Sequence, residues 1–412
     1  MTGDIVDVLI AGGGPAGACL GALLARASAH DTHPLRVLVL EPRRPVAPRA
    51  EAPLDVRVVA ISRASERILS AAGAWHAIAG PRVCSYERMR VWHESVGPRD
   101  ARALVFDAAE AGEPDLGHIV ESRLLQSALL DALVEAGGSI EAAQLLSLQV
   151  ATDHVAVETS SGRLLARLVV GADGAQSAVR TSVGLTAESS DYRQTAIIAT
   201  VATERSHENT AWQRFMRDGT LAFLPLADGT SSIVWSADNA VASVLLTASA
   251  SGFAAELDRA SDLALGATRL VSERASFPLQ RLTAHHYAAR RCALIGDAAH
   301  VVHPLAGQGV NLGLLDAAAL AQTLAQARRE HEDPGAIRIL RRYERWRKSE
   351  VALIAMGIDA FDRFLAHGRG PVSRLAQQSL VWVNRSPEVK RLFIRRALGL
   401  SGELPEAARP SA

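Results

Sequence analysis

Gly12, Gly14 and Gly17 stand at the spacing Gly-x-Gly-x-x-Gly, directly after an apolar run at 6–11. In this pattern the first glycine permits a tight turn and the second lets the backbone approach a pyrophosphate. The third lets a helix pack closely on its strand. Pro15 and Ala16 open that helix, whose N-terminal N–H groups and dipole attract phosphate. Glu41 follows the next apolar run, 37–40, with Arg43 two residues further on. A carboxylate there can accept both hydroxyls of an adenosine ribose and would repel a 2′-phosphate. The chemistry described is the adenosine half of a dinucleotide site, for FAD or NAD rather than NADP. The plain alternative is a strand–helix turn followed by an exposed glutamate.

Two more aspartates end apolar runs: Asp173 closes 168–173 and Asp297 closes 292–297. Asp173 is followed by Gly174, Ser177 and Arg180, and can also serve as a helix N-cap. Asp297 is followed by Ala298 and Ala299, small enough for a ligand to come close. Beyond them lies Pro304-Leu-Ala-Gly307-Gln308-Gly309-Val310-Asn311. His300 and His303 are three apart, but no third ligand accompanies them, so no metal is expected and both are assigned to packing or hydrogen bonding.

These residues need a scaffold. Strand 6–11, helix 15–27 and strand 37–40 form a βαβ unit. The runs at 168–173 and 292–297 read as further strands, so every fingerprint sits at a strand's carboxyl end, where open α/β sheets bind ligands. Residues 193–280 alternate polar and apolar, as in 220–225 and 231–236, which predicts an inserted antiparallel sheet. After Asn311 the chain reads as helical. The expected fold is α/β, α+β overall: a Rossmann-like domain with an inserted antiparallel-sheet substrate domain and a C-terminal helical segment. The cofactor domain takes 1–75, 97–185 and 281–345, the substrate domain 76–96 and 186–280, and the helical region 346–400.

With 412 residues, 48% of them apolar and 21% charged, the chain has the makeup of an ordinary globular protein. Net charge is zero, which disfavours a nucleic-acid partner. Cys19, Cys84 and Cys292 are scattered, which excludes a disulfide framework or a Cys-x-x-Cys redox pair. The start reads as a strand rather than a leader, and no apolar run reaches membrane-spanning length. The expected location is cytoplasmic, at most peripheral to a membrane.

The three fingerprints, in this order, resemble the single-component FAD-dependent aromatic hydroxylases typified by para-hydroxybenzoate hydroxylase. The likeness narrows at Asp55-Val-Arg57-Val-Val-Ala-Ile-Ser62, at Ala306-Gly-Gln-Gly-Val-Asn-Leu-Gly313, at Tyr343-Glu-Arg-Trp-Arg-Lys-Ser-Glu350 and at the ending Arg395-Arg-Ala-Leu-Gly-Leu400. There the chain looks like the bacterial ubiquinone-biosynthesis hydroxylases, over nearly its whole length. That resemblance implies FAD as cofactor, NAD(P)H and O2 as co-substrates, and a polyprenylated phenol or quinol as substrate. NAD(P)H would reduce the flavin, O2 would add at C4a, and the hydroperoxide would pass OH to the ring. It implies that Asp297 binds the ribityl hydroxyls, that Asp173 and Arg123 serve the phosphate side, that Arg57 is among the cofactor-binding residues, and that Pro304, Gly307 and Gly309 flank the isoalloxazine. N–H groups near Val310 and Asn311 would stabilise negative charge on reduced flavin.

No acid–base catalyst is assigned, since the cofactor carries the chemistry. A single Gly-x-Gly-x-x-Gly speaks against a second, nicotinamide-binding domain. Phe223, Pro225, Leu226 and Trp235 are the pocket candidates on the inserted sheet, core packing being the alternative for each. Leu314 and Leu315 precede Asp316 where relatives often carry a charge, which leaves the ring position open. Residues 341–400 hold 13 Lys/Arg against 5 Asp/Glu, interleaved with Leu375, Leu380, Trp382, Leu392, Phe393 and Ile394. A basic amphipathic face of this kind suits anionic lipid, a subunit contact or plain solvation. A homo-oligomer or a complex with other biosynthetic proteins is compatible with the same face. Two other functions stay open: hydroxylation of a small soluble phenol, and a non-catalytic FAD-binding scaffold.

Overall fold

The computed structural model describes residues 5–302, 308–365 and 386–410. Its first sheet is built on strands Val6–Ala11, Val37–Leu40, Gly162–Gly171 and Cys292–Leu294, all parallel to one another. Their sequences are continuous apolar runs rather than alternating ones, because both faces are covered. Helices Pro15–Ser28, Ser122–Glu135 and Gln308–Arg329 pack together, with Pro15–Ser28 touching both of the others. Ser139–Glu141 extends the sheet at one edge, and Leu145–Val150 and Val155–Thr159 form a meander onto Gly162–Gly171.

Register decides where function can sit. Ala11 is level with Leu40 on one side and with Gly171 on the other, and Gly171 is level with Leu294. Parallel pairing therefore brings Gly12, Glu41, Asp173 and Asp297 to one edge of the sheet, though they are spread over nearly 300 residues of sequence.

A second sheet of nine strands is mostly antiparallel, centred on the long strand Ala187–Thr203 and continuing through Ser231–Asp238, Gly219–Pro225 and Thr210–Met216. Arg88–His93 and Leu104–Asp107 complete one side, and Ala275–Ala284, His300–Val301 and the short Thr268–Leu270 the other. The sheet thus draws in Leu104–Asp107, from a stretch the sequence analysis grouped with the cofactor domain. One face carries helices Asn239–Thr247 and Ala250–Ser261 over a core of Ile197, Leu221, Ile233, Phe253 and Leu257. A small sheet of Val58–Ile61, Gly117–Glu121 and Cys84–Tyr86 lies apart from both. The described C-terminal chain is largely helical, with Ile337–Leu365 and Pro387–Ala397. Among the described residues no helix is long and apolar enough to cross a membrane.

Candidate cofactor site

At the glycine turn, three residues of one type answer to three different constraints. A Cβ at Gly17 would lie 2.0 Å from the Gly12 carbonyl oxygen, so helix Pro15–Ser28 could not seat against the turn. A Cβ at Gly12, where φ is +101°, would lie 2.3 Å from the Ala172 carbonyl oxygen. Gly14 differs: a Cβ there meets nothing within 4 Å. Its extended φ of −62° and ψ of 174° suit any residue. Neither fold nor backbone requires glycine at 14, and the space beside it opens where the helix N-terminus points. The N-cap offers no side chain to the free N–H groups, and the first turn carries no acid that would compete with a phosphate.

Glu41 is half-buried beside this turn. Its two carboxylate oxygens accept from the Gly13 and Arg43 N–H groups, each at 3.0 Å. A Cβ at Gly13 would sit 2.7 Å from the Glu41 Cβ. Gln126, from helix Ser122–Glu135, donates to the Gly13 carbonyl at 2.9 Å and bears on Glu41 at 3.5 Å. Gly13 and Gln126 were not foreseen. Gly13 lies in the degenerate part of the motif, and Gln126 stands 85 residues away from Glu41 with no motif of its own.

Arg123 is exposed and forms a two-pronged pair with Asp55, at 3.1 and 3.2 Å. Arg43 and Arg57 are also exposed. Asp173 accepts the Val179 N–H through Oδ2 at 3.1 Å, while its Oδ1 is buried without a partner among the described residues. Ser177 caps the following helix through the Arg180 N–H, and Arg180 donates to the Ala298 and Ala175 carbonyls. That guanidinium joins the Asp173 loop to the Asp297 loop.

Asp297 has an exposed side chain yet is walled in by protein, as a group lining a deep cleft would be. Burial among those walls raises its pKa, against the pull of His300 and Arg57. Gln308, Gly309 and Val310 form the half-buried first turn of helix Gln308–Arg329, and a Cβ on Gly309 would meet nothing within 4 Å. Asn311 is buried and donates to the Ala60 carbonyl at 2.9 Å while accepting from the Ser62 N–H at 3.0 Å. Its side chain clamps the helix start to strand Val58–Ile61. Pro304, Gly307 and His303 lie outside the described residues. His300 is bound to Asp316 at 2.6 Å. Glu66, Asp115 and His118 converge closely enough for a metal, but Arg63 pairs with both carboxylates and makes the group an ion-pair cluster.

The pocket expectation needs correction. Phe223 and Trp235 point into the core between the second sheet and its helices, where Trp235 meets Phe253 at 5.9 Å between ring centroids. Leu226 is buried with Ala60, Cys84 and Ile119, and Pro225 is buried opposite Ser231. Alternation correctly separated two faces of the strands; it contained nothing to say which face the helices would cover. The opposite face carries Ala222, Leu224 and Val234, all half-buried, with Thr200 and Ser232 directly paired. Leu224 packs against the cluster containing Ala60, whose carbonyl Asn311 holds, so this face turns toward the Gly309 helix start.

The family model for the FAD binding domain matches residues 5–356. Ubiquinone hydroxylase UbiL of Rhodospirillum rubrum is 38% identical over 408 residues, covering 98% of this chain and 92% of that protein. The 3-demethoxyubiquinol 3-hydroxylase of Escherichia coli is 35% identical, over 97% of this chain and all of that one. Among solved structures, p-nitrophenol 4-monooxygenase PnpA from Pseudomonas putida DLL-E4 superposes with a TM-score of 0.75 at 19% identity, over 96% of this chain and 98% of that one, which is a likeness of fold. An FAD-domain match over most of the chain, with full-length relatives of this kind, places the protein in the family of FAD-dependent ubiquinone-biosynthesis hydroxylases.

Proposed function

We propose that this protein hydroxylates the ring of a polyprenylated phenol or quinol in ubiquinone biosynthesis, using NAD(P)H and O2. The observation that supports the reading is the common edge of four parallel strands, to which register brings the ends carrying Gly12, Glu41, Asp173 and Asp297, with Gly14 at the same glycine turn open to a Cβ. When bound there, FAD supplies the electron transfer and oxygen activation. The chain's residues do the holding. The N–H groups of Ala16 and Gly17, in the first turn behind Gly14 and Pro15, bind the pyrophosphate, and Glu41 accepts the adenosine ribose hydroxyls. Arg43, Arg57 and Arg123 lend positive charge, and the unpaired Oδ1 of Asp173 takes a water or hydroxyl of the cofactor. Asp297 accepts ribityl hydroxyls. N–H groups of Gly309, Val310 and Asn311 at a helix start oppose negative charge on the ring.

The substrate ring then lies between this helix start and the sheet face of Ala222, Leu224 and Val234. In this reading the cofactor domain comprises 1–75, 97–185 and 281–345, with strand Leu104–Asp107 contributed to the substrate domain of 76–96 and 186–280, and 346–400 forming the helical region.

The test follows flavin absorbance of the purified protein, then anaerobic reduction by NAD(P)H with and without a short-chain prenylphenol. Faster reduction with the prenylphenol, and a hydroxylated product once O2 is admitted, is the expected result. Failure to bind FAD after reconstitution would sink the reading. Stimulation by water-soluble phenols alone would favour the soluble-phenol hydroxylase, and bound FAD that is never reduced would favour the scaffold. Asp297→Ala is expected to weaken FAD binding by about 10-fold, a loss of roughly 1.4 kcal/mol, in a fluorescence titration.

A lipid-borne substrate asks for a membrane-facing surface, and we place it on the C-terminal helices of a cytoplasmic, peripheral protein. Leu353, Met356 and Leu392 are exposed apolar side chains there, and Arg391 and Arg395 are exposed cations. Arg396 pairs with Glu350 at 3.5 Å and Lys390 with Glu110, so those two charges are partly spoken for. Leu375, Leu380 and Trp382 lie outside the described residues, and the side chain of Phe393 is not described. Reversing Arg391 and Arg395 to Glu is expected to reduce co-sedimentation with anionic liposomes several-fold, to about the level seen with neutral ones. Unchanged co-sedimentation would remove this face from consideration.

A further inference from the structure

We propose that Asp316 is a positioning residue for the flavin cofactor, acting through the Gly296–Asp297 turn. The inference rests on the reading of Asp297 as the ribityl partner. Asp316 belongs to helix Gln308–Arg329 and is fully buried. Its Oδ2 accepts the Gly296 N–H at 3.0 Å and shares a 2.6 Å hydrogen bond with His300 Nε2; its Oδ1 accepts from Arg347 Nε at 2.8 Å. One carboxylate thus ties together the Gly-Asp turn, the strand His300–Val301, the helix that begins beside Gly309, and helix Ile337–Leu365.

The turn it holds has little freedom in the other direction. Gly296 has φ of +57°, and a Cβ there would lie 3.2 Å from Ala16 Cβ and 3.8 Å from Gly313 Cα. Ala16 is in the first turn of the helix that points at the pyrophosphate. Gly296 is therefore wedged between the phosphate-binding helix and the flavin-side helix, with Asp316 pulling on its N–H. Tyr343 adds a second hold, donating to the Leu294 carbonyl at 2.8 Å two residues before the turn. The next side chain after Gly296 is Asp297.

A buried ion pair is a poor way to gain stability alone, since apolar residues of similar volume commonly do as well. What a carboxylate with three directed partners adds is geometry. Burial pushes the Asp316 carboxyl pKa up, but His300 and Arg347 outweigh it and hold it below the ordinary carboxylate value, so the acceptor is present throughout the neutral range. The Tyr287 ring stands 5.9 Å from His300 between centroids, and the Arg347 guanidinium holds the other oxygen of Asp316; both side chains are fully or nearly fully buried.

Titrating apoprotein with FAD, and recording visible circular dichroism of the bound flavin, tests the assignment. Asp316→Asn and His300→Leu are each expected to raise the Kd for FAD by about 10-fold or more and to alter the flavin dichroism, because the turn drifts. His300→Gln, whose amide nitrogen can occupy the place of Nε2, is expected to stay within about 3-fold of wild type. If Asp316→Asn does not fold, His300→Leu and His300→Gln carry the comparison. Melting temperatures that fall while Kd and dichroism stay at wild-type values would overturn the proposal, leaving a structural role only. Asp297→Ala is the separate control: an unchanged Kd there would refute the ribityl reading itself.

Discussion

Gly14→Val is expected to cost at least about 100-fold in FAD affinity, roughly 2.7 kcal/mol, while the apoprotein melts within about 1–2 °C of wild type. The separation follows from geometry. The backbone at 14 is extended, so a branched residue adopts it without strain, and an added Cβ meets no protein atom within 4 Å. The valine methyls instead project into the space before the first turn of helix Pro15–Ser28, where the pyrophosphate must approach the N–H groups. Gly17→Ala supplies the contrast. Its single added carbon would lie 2.0 Å from a backbone oxygen and 2.9 Å from the Ala172 side chain, so the helix must back away from the strand. That variant is expected to lose stability and cofactor together. Thermal melts of both apoproteins beside FAD titrations distinguish the cases. A Gly14→Val protein that binds FAD normally would move the phosphate site elsewhere on the chain, and with it the cofactor reading.

Much of this site was legible because its determinants are local. A glycine motif between strand and helix, or an aspartate closing an apolar run, carries its meaning within some ten residues. Parallel pairing then did the rest, since strands that start buried and end together must deliver their terminal residues to one edge. Illegible residues are those whose role depends on a distant partner. Gln126 reaches Gly13 across 113 residues, and Asn311 reaches Ala60 across 251. In sequence Gln126 is one polar residue on an ordinary helix, and the glycine-rich run assigns Asn311 a backbone role with nothing to say where its side chain goes. Phe223 and Trp235 failed for a different reason: a period of two divides a strand into faces, while the covering of a face is settled by helices elsewhere in the chain. Asp316 belongs to no motif of its own and is marked in sequence only by the leucines before it. That an acid in an otherwise apolar helix face is fully buried, and so must have cationic and N–H partners, becomes evident only once helix Ile337–Leu365 is in place.

The same dependence on distant partners marks Arg82, for which the sequence offers no motif. Arg82→Met is expected to destabilise the protein by about 3–5 kcal/mol, lowering Tm by about 4–6 °C if the chain melts as one unit. Arg82 grips Glu121 through two bonds of 2.7 Å, and Glu121 is almost wholly buried. The same guanidinium donates to the carbonyls of Arg49, Ala50, Ala52 and Pro53, while Glu121 accepts the Asp55 N–H at 2.8 Å. One ion pair therefore organises 49–55, a stretch with no helix or strand of its own that leads directly into Asp55 and Arg57. Methionine keeps much of the volume but strands a buried carboxylate with a single N–H partner. Removing both charges, as Arg82→Met with Glu121→Leu, should recover most of the lost stability, because the penalty belongs to the unpaired ion. It should not recover the FAD affinity, since four carbonyls and the Asp55 N–H still lack their anchor and the Asp55–Arg123 pair loses its footing. Denaturant melts and FAD titrations of the two single variants and the double complete the cycle. Stability regained together with full FAD affinity would show that 49–55 holds its course without Arg82, and that its link to the cofactor edge is slack.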